Sequence, residues 1–314
     1  MVAEKFIRIA KGLIKALISI PRLHKPSHTG GTTDSRYCYS TWLRHLILLN
    51  EHKKNMPAVI AELGPGDSLG TGLAALLCGC EKYLALDLFA YGNVALNVKI
   101  FDELVELFSK RAAVPDAREY PGLIPNLDNY RFPAHIITEG LLASAMAPER
   151  LAAIRKELAV PAASNRFINY FVPWEAGDIQ NETVDLVFSQ SVLQYTDLDL
   201  VYPAMNTWLK PGGMMAHVID FSSLGTAKQW NGHRAYSSLE WKLLRIGKKM
   251  PLNRSYPTLH KTYLEKNNFN LLNLISYKKE GGLATHQFAK EFRHLSDDDA
   301  GTYAAYLLSV KKKY

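Results

Sequence analysis

Apolar residues along this chain recur in two rhythms. Short apolar runs at 58–63, 82–87, 167–172, 184–189 and 213–220 read as buried strands, and 3.6-residue patterns at 70–78, 94–111 and 198–209 read as helices between them. That alternation predicts a parallel sheet covered on both faces. After residue 220 the order changes: a helix is predicted at 257–267, then strands at 270–277 and 303–311 that pair antiparallel. The chain is thus expected to be α/β, a doubly wound seven-stranded mostly parallel sheet with an antiparallel C-terminal strand pair and helical insertions. Two stretches interrupt the pattern. Residues 112–165 are too long for a crossover and carry helical patterns at 138–145 and 148–158; residues 221–256 follow the last core parallel strand. Both are expected to leave the carboxyl ends of strands, where open α/β sheets bind ligands.

The N-terminus has its own pattern. Over residues 4–20, Lys5, Arg8, Lys11 and Lys15 fall on one arc of a helix, Phe6, Ile7, Leu13, Leu17 and Ile18 fill the rest, and Pro21 stops it. Such a helix suits a membrane surface; it equally suits packing on the chain's own core or on a second copy in a homodimer. A polar Gly/Ser/Thr loop at 26–36 and a helix at 37–52 follow, so residues 1–55 read as a basic helical cap ahead of an α/β domain at 56–314.

Charge sharpens this division. The 314 residues carry a net charge of +7, and residues 1–55 supply all of it, with ten Lys/Arg against three Asp/Glu. An enzyme of nucleic acid would spread basic surface around its cleft, so a nucleic-acid partner is not expected. Neither a membrane span nor a secretory leader is legible, and a cytoplasmic location is expected, peripheral at the inner face of the membrane if the N-terminal helix meets lipid. Cys38, Cys78 and Cys80 lack metal or redox spacing; they read as buried thiols, and no metal site is expected.

Candidate chemistry begins at Val59–Gly70, an apolar strand running into a glycine turn and a helix. Gly64 and Gly66 let the backbone turn tightly and approach a ligand, and the helix starting near Gly70 is expected to turn free N–H groups towards it. A dinucleotide fingerprint would need glycine where Leu69 stands, and a phosphate loop would need Gly-Lys-Ser/Thr. The next strand ends in Asp87, 21 residues after Gly66, where one carboxylate can accept from both hydroxyls of a ribose.

Glu62-Leu63-Gly64-Pro65-Gly66 resembles the first motif of class I S-adenosylmethionine-dependent methyltransferases. Thr183–Tyr195 resembles their fourth-strand motif, and Leu209-Lys210-Pro211-Gly212-Gly213 the turn before their fifth strand. In that turn Pro211 is expected to end a helix, with Gly212 and Gly213 at positive φ. The resemblance implies S-adenosyl-L-methionine as cofactor, held by Glu62, Gly64, Pro65, Gly66, Asp87, Leu88, Trp174, Glu175 and Gln190. Two departures stand out. Trp174 or Glu175 must serve where the family places an acidic residue near the adenine, and Gln194-Tyr195 replaces a common Glu-His.

Methyl transfer to a hydroxyl needs a base; transfer to an amine does not. Asp220, Tyr195, His217 and His233 are the catalytic candidates, although strand alternation puts His217 and Asp220 on opposite faces. Arg234, Tyr236 and Arg254 are candidates for holding an acceptor, the arginines suiting an anionic one. Residues 217–268 and 37–44 look like bacterial methyltransferases of surface-polysaccharide biosynthesis. That likeness implies a small-molecule or glycan acceptor, a sugar or lipid-linked saccharide. A nucleic-acid methyltransferase and a catalytically silent cofactor-binding partner subunit are the alternatives.

Overall fold

The computed structural model describes residues 5, 8, 10, 30–160, 164–246 and 252–313. Most of the amphipathic segment 4–20, and residues 26–29 of the polar loop, lie outside them.

The described chain opens with α1 (Ser35–His52), then β1 (Val59–Leu63), α2 (Gly70–Leu77), β2 (Lys82–Leu86) and α3 (Val94–Ser109). Two short helices, α4 (Glu139–Ala145) and α5 (Pro148–Ala159), precede β3 (Ile168–Phe171). Then come β4 (Val184–Gln190), α6 (Leu198–Trp208), β5 (Leu209–Asp220), α7 (Ser238–Arg245) and α8 (Pro257–Lys266). The chain ends with β6 (Phe269–Lys278), α9 (Asp297–Gly301) and β7 (Thr302–Lys311).

One seven-stranded sheet runs β3-β2-β1-β4-β5-β7-β6. β1, β2, β3, β4 and β5 are parallel, while β7 runs antiparallel to both β5 and β6. The expected doubly wound sheet is therefore present. Its order reverses between β1 and β4, which opens a crevice at their carboxyl ends.

Strand alternation sorts the core. Ile60, Tyr83, Ala85, Phe188 and Ala216 pack beneath α1, α2 and α3. Ala61, Leu84, Leu86, Val187 and Met215 face the opposite way, onto α6 and α8. Helix α1 belongs to this core: Tyr39, Trp42 and Leu43 are fully buried. Its start is capped by Asp34, whose Oδ1 accepts from the Arg36 N–H at 2.9 Å. Arg44, also fully buried, donates to the carbonyls of Pro115, Leu123 and Pro125 at 2.6–2.9 Å, which ties residues 115–125 to α1.

Two expectations need correcting. The 112–165 insertion follows a helix rather than a strand: α4 lies at the amino ends of the sheet, where Leu141 and Ala145 share a hollow with Val59, Lys82 and Phe167. Residues 115–125 return to the carboxyl side, where Arg44 holds their carbonyls. At the 209–213 turn, α6 already ends at Trp208 and β5 begins at Leu209; Gly212 alone has positive φ, at 76°. Pro211 therefore sits inside the strand, at the irregularity where the β4–β5 register shifts.

Of the N-terminal segment, Lys5 reaches the Ala235 carbonyl, pairs with Glu240 at 3.5 Å and lies 5.2 Å over the Tyr236 ring. Arg8 donates to the Gly225 carbonyl at 2.9 Å. Both contacts fall on the 221–256 region. Among the described residues no helix is long and apolar enough to cross a membrane. The three cysteines are free and buried.

Candidate functional site

A cavity of about 970 Å³ occupies the crevice above β1 and β4. That volume suits a ligand of nucleoside size or larger. Its floor is the turn after β1. Gly64 has φ 66° and Gly66 φ 76°, left-handed values that a side chain resists, and a Cβ on Gly64 would stand 2.7 Å from Val192 Cγ2. The Gly64 N–H donates to the Leu86 carbonyl at 2.7 Å, binding the turn to the end of β2.

At that end stands Asp87. Its carboxylate accepts from three backbone amides: Gly66 at 3.3 Å, Leu88 at 2.7 Å and Phe89 at 3.4 Å. The residue is buried yet lines the cavity, so the acceptor edge is held still where a ribose would meet it.

Glu62 lies deeper, also on the cavity wall. Tyr83 donates its hydroxyl to Glu62 Oε2 at 2.6 Å, and the Tyr83 ring fills the place a side chain at Gly72 would take. Burial pushes the Glu62 carboxyl up to about 8, with Asp87 adding repulsion and hydrogen bonds from Tyr83 and Thr71 opposing the rise. A cation entering the cavity would draw that proton off.

Several amides of the turn leading into α2 are engaged by side chains, which corrects the expectation of free N–H groups at those positions. The Asp67 N–H donates to Thr32 Oγ1 at 2.9 Å, Leu69 N–H to Asn97 Oδ1 at 2.9 Å, and Gly70 N–H to Ser68 Oγ at 3.1 Å. A ligand phosphate would normally be held by such amides.

No protein-family model matches the chain, and no curated protein sequence matches it. Among solved structures, it is similar to an S-adenosylmethionine-dependent methyltransferase from Mesorhizobium loti: 12% identity, 87% of this chain and 98% of that one, TM-score 0.41. A SAM-dependent methyltransferase from Methanosarcina mazei is similar at 10% identity, over 85% of this chain and 98% of that one, TM-score 0.43. Phosphoethanolamine N-methyltransferase 2 of Haemonchus contortus, solved with S-adenosyl-L-methionine, is similar at 14% identity over 87% of this chain and 53% of that one, TM-score 0.42.

All nine cofactor candidates line the large cavity: Glu62, Gly64, Pro65, Gly66, Asp87, Leu88, Trp174, Glu175 and Gln190. Trp174 is placed by its N–H, which donates to the Asp87 carbonyl at 3.2 Å, and by edge contact with Trp208 at 5.4 Å. Gln190 is a fixed wall, its Oε1 3.2 Å from His45 Nε2 and its Nε2 donating to the Ile124 carbonyl at 3.1 Å. Tyr195 lines the same cavity, and burial followed by the Asp220 charge pushes its hydroxyl up.

The remaining candidates divide. Asp220 is not on this cavity but on a smaller neighbouring one, of about 340 Å³. His217, His233, Arg234, Tyr236 and Arg254 line neither. His217 is fully buried with Nδ1 2.8 Å from Ser189 Oγ, and burial lowers its imidazole to about 3. His233 is buried and held neutral by burial and by Arg234 and Arg254. Arg234 donates to the carbonyls of Asp299 and Ser255 at 3.3 Å. Arg254 donates to the Tyr236 carbonyl at 2.6 Å and is sandwiched between Trp241, 4.9 Å away, and Phe292, 4.6 Å away. Tyr236 donates its hydroxyl to the Thr226 carbonyl at 3.1 Å. Arg234, Tyr236 and Arg254 thus turn donors to backbone carbonyls, and Arg234 ties residues 221–256 to the C-terminal segment.

Sequence reasoning missed Gly31, Thr32 and Tyr37, which close one side of the large cavity, as well as Tyr91 and Asp197. The Gly/Ser/Thr loop is legible as a loop. Nothing local shows that Thr32 would reach Asp67, or that a side chain on Gly31 would strike the Tyr37 ring at 2.6 Å.

Proposed function

We propose that this protein transfers a methyl group from S-adenosyl-L-methionine to a small-molecule or glycan acceptor. One observation carries the cofactor reading. The large cavity is lined by the carboxylates Asp87, Glu175 and Asp197 and the buried carboxyl of Glu62, and by no Lys, Arg or His among the described residues. A nucleotide or dinucleotide brings phosphate charge that this lining repels, and the Asp67, Leu69 and Gly70 amides that would offset it are taken. A nucleoside joined to a cationic amino-acid arm is attracted instead.

The residues present fit that group. Asp87 is set to accept from the two ribose hydroxyls, the turn at Gly64 and Gly66 lines the cavity with no side chain in the path of the linking chain, and Glu62 and Thr71 face its charged end. When bound, the cofactor supplies an activated methyl carbon. The protein's part is to orient and to exclude water, which suits a cavity walled by Trp174, Tyr91, Val192 and Leu200. The glycan side of the reading is supported by the sequence resemblance over residues 217–268.

Calorimetry with S-adenosylmethionine and with NAD tests the cofactor: the sulfonium should bind and NAD should not. Labelled methyl transfer into a cell extract, separated into lipid-glycan, small-molecule and nucleic-acid pools, tests the acceptor. Tight NAD binding without sulfonium binding would overturn the first reading, and label mainly in nucleic acid the second.

A further inference from the structure

The smaller cavity shares Tyr37, Gln190 and Ser191 with the larger one, so the two spaces adjoin along these three residues. Its own lining is distinctive. Tyr37 and Tyr120 meet edge to face at 5.6 Å, and the Tyr120 hydroxyl, donating to Asp34 Oδ2 at 2.6 Å, locks that ring in place. Two carboxylates complete it. Glu119 is neutralised by Arg36, which reaches both its oxygens at 2.5 and 2.7 Å. Asp220 accepts from the Ser222 N–H at 2.7 Å and has no ion-pair partner among the described residues. No Lys, Arg or His among the described residues lines this space.

We propose that this smaller cavity seats the methyl acceptor, and that the acceptor is an amine whose nitrogen lies between the Asp220 carboxylate and the faces of Tyr37 and Tyr120. This rests on the methyl-transfer reading above. Three physical points favour an amine over the other acceptors. An anionic acceptor would meet Asp220 with no cation to offset it. A hydroxyl would need a base beside it to take its proton, and no histidine among the described residues lines the smaller cavity. A protonated amine, by contrast, gains from one unpaired carboxylate and from aromatic faces together.

The chemistry balances without a further reactant. The ammonium gives one proton to water, freeing the nitrogen lone pair. That pair forms the N–C bond to the methyl carbon as the C–S bond breaks, and the sulfur keeps the bonding electrons. The methylated nitrogen carries the positive charge that the sulfonium loses, and Asp220 faces it.

Saturation-transfer NMR on the full chain loaded with S-adenosylhomocysteine tests this, with glucosamine, N-acetylglucosamine and glucuronic acid as probes. Glucosamine should bind; its amide and its acid counterpart should not. Asp220→Asn should weaken glucosamine binding at least tenfold while S-adenosylhomocysteine affinity stays within twofold. Tyr120→Leu should weaken it about fivefold, the scale of one lost cation–π contact, which is about 1 kcal/mol. Unchanged amine binding in Asp220→Asn, or preferential binding of the neutral or acidic sugar, overturns the proposal. If S-adenosylhomocysteine itself fails to bind, the methyl-transfer reading fails first; if it binds and no amine does, the acceptor proposal alone is wrong.

Discussion

The Gly66 amide and the Asp87 carboxylate, 21 positions apart in sequence, stand 3.3 Å apart at the edge of one cavity. The contact couples the loop after β1 to the end of β2, so whatever fixes the ribose also fixes the turn beside it. Asp87→Ala should therefore weaken S-adenosylmethionine binding by about 1–3 kcal/mol, the scale of hydrogen bonds to a charged group. Isothermal titration measures it, and an unchanged affinity would place the ribose elsewhere.

Gly64→Ala adds a Cβ at a left-handed φ and 2.7 Å from Val192 Cγ2. The backbone part costs about 1–2 kcal/mol. The steric part pushes Val192 towards the cavity, so both melting temperature and cofactor affinity should fall. Adding Val192→Ala should restore affinity more than stability, because only the clash is relieved. Thermal melts with and without cofactor separate the two.

Glu62 sets a pH dependence. Its folded value of about 8 stands above the ordinary carboxylate value of 4.5, so the folded protein holds this proton longer than the unfolded chain does. The stability linked to it is complete below about 4.5 and is lost as pH rises through about 8. Without cofactor, the melting temperature should decline as pH rises from about 4.5 to about 8 and level off above it, and Glu62→Gln should flatten that decline. A cationic ligand reverses the preference: S-adenosylmethionine should bind more tightly as pH rises over the same range, releasing a proton. Titrations in buffers of different ionisation enthalpy detect the release, and a pH-independent affinity would exclude Glu62 from the ligand's charged end.

His217 has the opposite sign. Burial lowers it to about 3, so the stability it contributes is present above its ordinary 6.5 and is lost as pH falls through about 3. His217→Ala should cost about 2–5 kcal/mol, as large-to-small core substitutions do, with KM for cofactor unchanged. Denaturant melts and a cofactor titration check both halves.

Arg254→Ala should likewise lower stability rather than acceptor affinity. It removes the plate between Trp241 and Phe292 and the donor to the Tyr236 carbonyl. A normal melting curve with a raised KM for the acceptor would return Arg254 to the site.

Periodicity and turn chemistry are local properties, and they were enough for the sheet. Alternating apolar runs placed every strand to within a few residues, and the change of rhythm after Asp220 foretold the antiparallel pair. The glycine turn and the carboxylate at Asp87 were legible for the same reason: a tight turn at a strand end and an acid at the next strand end are signatures written in adjacent residues. What a side chain faces is a different kind of fact. Arg234, Arg254 and His233 have the chemistry of a binding site, but the fold brings carbonyls and aromatic rings to them instead of a ligand. Tyr37 and Thr32 have ordinary neighbours in sequence, yet the packing of α1 against α2 carries them over the cavity. Asp220 is marked by its place at a strand's carboxyl end. That it opens onto a second space, one that adjoins the first along Tyr37, Gln190 and Ser191, depended on contacts between segments more than a hundred residues apart, which only the folded chain brings together.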